Sequence, residues 1–393
     1  MKTILMIIPE FGFGGAEKSF CSLSVELSKR YDLTVVVFNL QRKPAYPVGG
    51  KIVSLDVDYG LGTIKKLLNF KSRIKKLKRI KNLIRPQVSI SFLEGADYIN
   101  TLSRISGEKI VLSIRGSKIH DQNISGLLGY IRHKLLIPFI YRRADEIIAL
   151  NHGIKNELLN FYKINKPVQV IHNWIETEKI KISTEEKLEP RLEAIFEGGD
   201  ILISHGRLAK EKGYEYVLDI LFILLKEHPN ATYVIIGEGE EISSLINKCK
   251  NMGLSYWVND GKSQPLKKNV YFLGYQSNPM AFLVKSDLYI LSSLHEGFGN
   301  SLVEAMACSL PVVASDCPYG PAEILVKNQG GAEYGVLLDI PNNRKAIELW
   351  SNRISELLQS DLLRKNLSVK SLERAKQFNK KEIVDNWQKI VED

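Results

Sequence analysis

Two glutamates, Glu296 and Glu304, stand with seven residues between them in the run His295-Glu-Gly-Phe-Gly-Asn-Ser-Leu-Val-Glu-Ala-Met-Ala-Cys308, directly after the apolar segment Leu288-Tyr-Ile-Leu291. The apolar segment reads as a buried strand and residues 302–307 as a short helix closed near Pro311, which makes a strand, a glycine turn and a helix N-terminus. Such a junction offers unpaired backbone N–H groups at the positive end of a helix dipole, which suits a phosphate. Carboxylates on either side can accept bonds from sugar hydroxyls. A competing reading places Ser301 and Glu304 in a capping box that satisfies the first-turn N–H groups and binds no ligand. Glu296 precedes the turn, so capping does not account for it.

A second junction of the same kind, Ile201-Leu-Ile-Ser-His-Gly-Arg-Leu-Ala-Lys-Glu-Lys-Gly213, carries Arg207 and Lys212 between a strand end and a helix. Two cations there can clamp a diphosphate and neutralise the charge that grows as it leaves, although each taken singly reads as a surface residue. A third junction, Phe11-Gly-Phe-Gly-Gly-Ala-Glu17, follows the first strand and mimics a dinucleotide fingerprint. Glu17 occupies the place of the third glycine, and the second strand ends Val37-Phe38-Asn39 without an acid for an adenosine ribose; both count against a nicotinamide enzyme. Glu94, at another strand end, suits either an acceptor or a hydrogen bond to the next helix. Asp56-Val-Asp58 lies within a strand-like pattern and reads as chance rather than as a metal pair.

Short apolar runs near 3–9, 33–38, 88–92, 109–114 and 145–150 alternate with helical patterns near 16–30, 64–85 and 153–161, and a second set of strands begins at Ile201. The alternation predicts an α/β fold of parallel sheets covered by helices. With 393 residues and 44% apolar composition the chain can bury two cores. Residues 176–199 are charged and weakly patterned, as expected of a linker, which gives domains over 1–180 and 181–375 with a last helix, 376–393, returning toward the first. The net charge of +10 is uneven: residues 1–190 hold 31 Lys and Arg against 18 Asp and Glu, whereas residues 191–393 hold 23 against 26. The first half should therefore meet any anionic surface.

Within it, residues 64–85 carry ten basic residues and no acid, with Ile64, Leu67, Leu68, Ile74, Leu77 and Ile84 at helical spacing. A solvated face opposite a sheet-packing stripe is one reading and attraction to anionic lipid the other, the latter supported by the basic-aromatic stretch 130–143. Nucleic acid is not expected, since no nucleic-acid motif accompanies the charge. Cys21, Cys249, Cys308 and Cys317 form no Cys-x-x-Cys pair and read as buried thiols of a cytoplasmic protein. The N-terminal apolar segment reads as a strand rather than a signal peptide, and no run reaches the roughly 18 apolar residues that span a bilayer, so membrane contact should be peripheral, on the inner face of the plasma membrane.

Taken together, Gly14-Gly-Ala-Glu17, Gly206-Arg-Leu-x-x-x-Lys-Gly213, Gly237-Glu-Gly239, Phe272-Leu-Gly274, Glu296-Gly-Phe-Gly-x-x-x-x-Glu304, Ser315-Asp-Cys-Pro-x-Gly-Pro-x-Glu-Ile324 and Val170-Ile-His-Asn173 resemble glycosyltransferase family 4, in its usual order over nearly the whole chain. The resemblance implies a GT-B fold, two facing Rossmann-like domains with a cleft between them, and a retaining transfer that needs neither metal nor cofactor. It assigns Arg207 and Lys212 to the donor diphosphate, Glu304 to the ribose and Glu296 to hydroxyls of the transferred sugar. It also gives the amides of Phe298, Gly299, Asn300 and Ser301 to phosphate and sugar. Gly14 and Gly15 would meet the phosphates from the first domain, while Gly237 and Gly274 line the nucleotide, the segment after Phe272 passing the base. Glu17 and Glu94 fall on the acceptor or donor-sugar side. Many members carry a His after the strand that here ends Leu112-Ser-Ile114; this chain has Arg115, with His120 five residues on, and an arginine stays protonated and cannot act as a base.

The implied partners are a nucleotide-sugar, with UDP preferred, and a saccharide acceptor, expected to be a lipid-linked oligosaccharide at an anionic membrane in capsule, O-antigen or exopolysaccharide synthesis. Although Glu296 and Glu304 look like the carboxylate pair of a retaining glycosidase, the resemblance assigns them to different parts of the donor. Two rivals are a GT-B-type sugar-nucleotide epimerase, which needs no acceptor, and a noncatalytic sugar-binding protein, which needs an export signal.

Overall fold

The computed structural model describes residues 1–41, 43–58, 60, 62–119, 126–326 and 331–393. The chain divides into two units, 1–173 with 381–393, and 174–380. The first contains β1 (Thr3–Ile8), β2 (Asp32–Val37), β3 (Lys51–Ser54), β4 (Val88–Phe92), β5 (Lys109–Ile114), β6 (Glu146–Ala149) and β7 (Val168–Val170). They form one parallel sheet in the order β3-β2-β1-β4-β5-β6-β7. β1 is buried almost throughout because its apolar residues run continuously rather than alternating, the pattern of a sheet covered on both faces, and β4 is buried as fully although Ser89 and Ser91 alternate with Val88, Ile90 and Phe92. The chain leaves β1 toward β2 and later re-enters beside β1 at β4. The loops after these two strands therefore part at a topological switch point, where open α/β sheets leave a crevice.

The second unit repeats the plan with β8 (Ile201–His205), β9 (Thr232–Ile236), β10 (Tyr256–Val258), β11 (Val270–Phe272), β12 (Leu288–Leu291), β13 (Val312–Ser315) and β14 (Val336–Leu338). Its parallel order is β10-β11-β9-β8-β12-β13-β14, with the switch point between β8 and β12. The helix Tyr214–Leu224 buries Val217, Leu218 and Leu221 and the helix Arg344–Gln359 buries Trp350 and Ile354, all in one core with the sheet.

Two expectations need correction. Residues 176–199 are not a linker: they form the helices Thr177–Thr184 and Pro190–Glu193 and a turn of 3-10 helix, which bury Ile180, Leu192 and Ile195 in the second unit. The division falls at Asn173/Trp174, so the expected boundary at 180/181 lies inside a helix. The segment looked unpatterned because each short helix spends only one apolar side chain on the core. The helix Thr63–Ile84 is basic as expected, but Phe70, Ile74 and Leu77 pack inward while Ile64, Leu67 and Leu68 stay exposed. Two of its cations point inside. Arg73 donates to the carbonyls of Val57 and Asp58 and lies over Phe38, while the fully buried Lys81 pairs with Glu108 at 2.6 Å. Burial outweighs that pairing and draws the Lys81 ammonium down to about 8.

All four cysteines are free, three of them buried. Burial pushes each thiol up, to about 12 at Cys21, Cys308 and Cys317 and about 11 at Cys249, which leaves them chemically quiet. Among the described residues no helix is long and apolar enough to cross a membrane.

Candidate functional site

The second unit's switch point gathers most of the chemistry. After β12 the chain turns through residues 292–299 into the helix Asn300–Ala307, whose N-cap is Gly299. The first intrahelical bond runs from Val303 N–H to the Gly299 carbonyl, so the amides of residues 300–302 precede the ladder. Ser301 lies inside the helix and is hydrogen-bonded to the Tyr289 hydroxyl on β12, so the capping box is not formed. A cap signature requires the helix to begin one residue after Ser301, and Gly299 starts it earlier.

Glu304, freed from capping, turns toward β8. Its Oε2 meets Nε2 of His205, the last residue of that strand, at 2.9 Å, and both groups are buried. The ionised carboxylate accepts from Nε2, and among the described residues the buried Nδ1 has no hydrogen-bond partner. His205 could have been suspected from sequence, since a polar residue closing a buried strand must find a polar neighbour.

Glu296 is held from two sides at Oε1, by Lys212 Nζ at 2.7 Å and by the Ser293 hydroxyl at 2.7 Å. Its backbone is pinned as well, the amide donating to the Pro318 carbonyl at 2.9 Å. Lys212 reaches it because the turn Lys210–Lys212 lies along the loop after β12: Leu294 N–H donates to Glu211 O at 2.8 Å and Ser292 Oγ to Lys212 O at 3.0 Å. Gly213 makes that approach possible, since it has φ +64° and an added Cβ would stand 2.3 Å from the Ser292 carbonyl oxygen. Gly237 is equally constrained: its Cβ would stand 1.9 Å from the Gly206 carbonyl oxygen. Gly237 N–H also donates to Gly274 O at 2.8 Å, so these glycines let the loops after β8, β9 and β11 stack. Arg207 is not drawn into the Lys212–Glu296 pair. Its side chain is 64% exposed and bonds Glu211 four residues on, with Glu240 4.0 Å away.

In the first unit Gly14 is the N-cap and Gly15 the first residue of the helix Gly15–Leu27. Glu17 sits in its first turn, at the positive end of the dipole, and folds its carboxylate over Gly12 and Gly14. Glu94 opens the helix Glu94–Leu102 and is gripped bidentately by Arg132, at 2.6 and 2.5 Å, with Lys118 at 3.4 Å and the Tyr98 hydroxyl also bonded to it. Burial raises its carboxyl, but the Arg132 bonds and the Lys118 charge outweigh burial and hold it down at about 2. Glu94 is thus bonded both to its own helix and to a segment 38 residues on.

Arg115, directly after β5, is buried over the Phe92 ring, 5.0 Å from its centroid, and bonds Ser113 and Asn173. Among the described residues no carboxylate lies within ion-pair distance, and burial draws the guanidinium down to about 9. His120 lies outside the described residues. Asp58 accepts bonds from the Asn39 and Gln41 amides.

Known proteins match this chain over nearly its whole length. The family model described as "Glycosyltransferase Family 4" matches residues 13–179, and the one described as "Glycosyl transferases group 1" matches residues 186–374. A Campylobacter jejuni protein named N-acetylgalactosamine-N,N'-diacetylbacillosaminyl-diphospho-undecaprenol 4-alpha-N-acetylgalactosaminyltransferase is 26% identical, over 98% of this chain and 97% of that protein. The amylovoran biosynthesis glycosyltransferase AmsD of Erwinia amylovora is 24% identical over 99% of each chain. The crystal structure of Anabaena HepE in complex with UDP-glucose shares the fold with a TM-score of 0.73 at 19% identity, covering 100% of both chains. The chain is therefore a glycosyltransferase of the GT-B fold and belongs to the family 4, group 1 glycosyltransferases.

Proposed function

We propose that this glycosyltransferase moves a hexose or N-acetylhexosamine, with retention of configuration, from a UDP-sugar to a lipid-linked oligosaccharide in the synthesis of a bacterial surface polysaccharide. The observation that carries the donor half is the Lys212–Glu296–Ser293 cluster beside the N-terminus of the helix Asn300–Ala307 at the β8/β12 switch point. A diphosphate fits the helix N-terminus and the Lys212 ammonium, while Glu296 and Glu304 offer carboxylate oxygens to sugar and ribose hydroxyls. Arg207, paired only at the surface, is able to leave Glu211 for the same diphosphate. The solved complexes of Anabaena HepE with UDP-glucose and with UDP support the choice of base. The Campylobacter relative, whose name specifies a diphospho-undecaprenol acceptor, and AmsD support the acceptor class.

In the proposed reaction the acceptor oxygen attacks the anomeric carbon from the face the diphosphate leaves. The bond from anomeric carbon to diphosphate oxygen breaks, the bond to the acceptor oxygen forms on the same side, and the acceptor proton passes to the departing diphosphate. Lys212 and Arg207 stabilise the charge that develops there. The assignment is tested by titrating the protein with UDP, GDP and ADP and then measuring sugar release from the matching nucleotide-sugars, with and without saccharide acceptors. Tight UDP binding and acceptor-stimulated release are expected. Isomerised donor without transfer would replace this reading with the epimerase, and no binding of any nucleotide would end it.

A further inference from the structure

The stretch between β5 and β6 is not absorbed by the donor site. The helices Gly126–Ile131 and Ile137–Tyr141 flank a π-turn, Arg132–Leu136, so that a helical rod continues through Pro138, whose missing N–H such a turn accommodates. Its outer side is an open groove of about 610 Å³ lined by Ile131, Leu135 and Phe139 and flanked by Lys134, Arg142 and Arg143. Leu135 is 63% exposed and Phe139 49%. Arg143 lies 3.8 Å over the Phe139 ring and Lys134 5.7 Å over that of Phe161, so the cations sit on the apolar surface itself. Residues 126–144 include no Asp or Glu, and among the described residues no carboxylate lies within ion-pair distance of Lys134, Arg142 or Arg143.

The fold gives this groove a companion. The helices Thr63–Ile84, Glu94–Leu102 and Ile137–Tyr141 pack side by side in one layer. Each crossover helix runs opposite to the strands, so its N-terminal end lies at their carboxyl edge. The exposed Ile64, Leu67 and Leu68, with Lys65 and Lys66, occupy that end of the first helix, and residues 126–136 follow the carboxyl end of β5. The first-helix patch and the start of the rod therefore stand at the edge of the sheet that carries the Gly12–Gly15 loop, and the rod carries Phe139, Arg142 and Arg143 from there toward the start of β6.

We propose that this face docks on an anionic phospholipid bilayer, Leu135 and Phe139 entering the headgroup boundary and Lys134, Arg142 and Arg143 meeting lipid phosphates. Exposed Leu135 fits acyl chains and offers a base nothing to stack on, and Arg143 already covers a face of the Phe139 ring, while a second copy would bring the same cations together with no acid to receive them. The inference rests on the lipid-linked-acceptor reading, for which it supplies the membrane-facing surface.

The test uses the full chain and sedimentation with vesicles of phosphatidylcholine, alone or with about a third phosphatidylglycerol, each basic residue at such a surface strengthening partition roughly fivefold. Wild type is expected to sediment with the anionic vesicles only, and to be released by salt. Lys134→Glu with Arg143→Glu should weaken partition by at least about 25-fold, two such contributions being removed. Leu135→Asp with Phe139→Asp should abolish it, with unchanged circular dichroism, melting and donor-sugar hydrolysis. The proposal is overturned if wild type ignores anionic vesicles, if both double variants bind as wild type does, or if light scattering finds a dimer that the variants dissociate. Vesicle binding that responds to the variants in a protein with no nucleotide-sugar activity would uphold the docking face and sink the transferase reading instead.

Discussion

Lys212 and Glu296 hold each other at 2.7 Å before any ligand arrives, so the cation expected to meet a leaving diphosphate is already oriented. Such preorganisation is what makes a charge-stabilising donor effective, and Lys212→Ala should lower turnover roughly 100-fold or more. Arg207→Ala should do the same even though its surface pair with Glu211 contributes little to the fold, because its role begins when the diphosphate is present. Steady-state kinetics on the two variants checks both, and full activity in either removes that residue from the assignment. His205 acts differently, through Glu304. His205→Ala removes one hydrogen bond from the Glu304 carboxylate and should raise the donor KM about tenfold with little change in kcat, as expected when one hydrogen bond to a charged group is lost. Because the two residues form one unit, the double variant with Glu304→Ala should be little worse than Glu304→Ala alone; additive losses would mean that His205 serves some other purpose.

At the scale of elements, the Glu94 cluster joins the helix Glu94–Leu102 to the segment around Arg132, and its charge state should show in the stability of the first unit. The Glu94 carboxyl is lowered from 4.5 to about 2, so its stabilisation is complete above about pH 4.5 and is lost as pH falls toward 2. Denaturant titrations across that window should find wild type losing on the order of 3 kcal/mol relative to Glu94→Gln, whose neutral amide does not titrate. A constant difference between the two would show that the ion pair contributes nothing. The same cluster marks the limit of what the sequence discloses. Strands such as β1 and β12 are legible because a covered parallel strand is a run of apolar residues, and the glycine turns after them announce where a ligand can approach. Glu94, by contrast, finds its partner 38 residues away and Glu304 finds His205 99 residues away, and no local pattern encodes such pairings. The inward turn of Arg73 and Lys81 was hidden for the same reason: a basic side chain looks solvated until Val57, Asp58 and Glu108 supply its partners. Residues 177–196 were hidden by composition, since their charged surface masks the few apolar residues that dock them.

For the molecule as a whole, the chain enters its second unit at Trp174 and leaves it after Lys380, and the outgoing and returning segments run side by side, Ile175 N–H donating to Phe378 O at 2.8 Å. The helix Lys380–Glu392 then completes the first unit by burying Ile383, Val384, Trp387, Ile390 and Val391. Trp387 stacks on Phe92 of β4 with ring centroids 6.0 Å apart. Lys2 donates to the carbonyls of Val391 and Glu392, and Lys109 to that of Ile390, which satisfies the last turn of the helix and lays it against the starts of β1 and β5. The helix Lys380–Glu392 is thus a structural part of a unit whose strands all lie before residue 174. Trp387→Ala should cost about 3–5 kcal/mol, the range for emptying a buried aromatic site. Amide exchange should accelerate in β1, β4 and β5 while β8, β9 and β12 keep their protection. Under the donor assignment UDP should act in the complementary place: at about 100 times its Kd it adds roughly 2.7 kcal/mol to whatever binds it, and the added protection should fall on residues 206–213 and 292–304. Equal acceleration in both units on loss of Trp387 would mean that the last helix supports more than the first sheet. Protection by UDP confined to the first unit would move the nucleotide site away from Lys212 and Glu296.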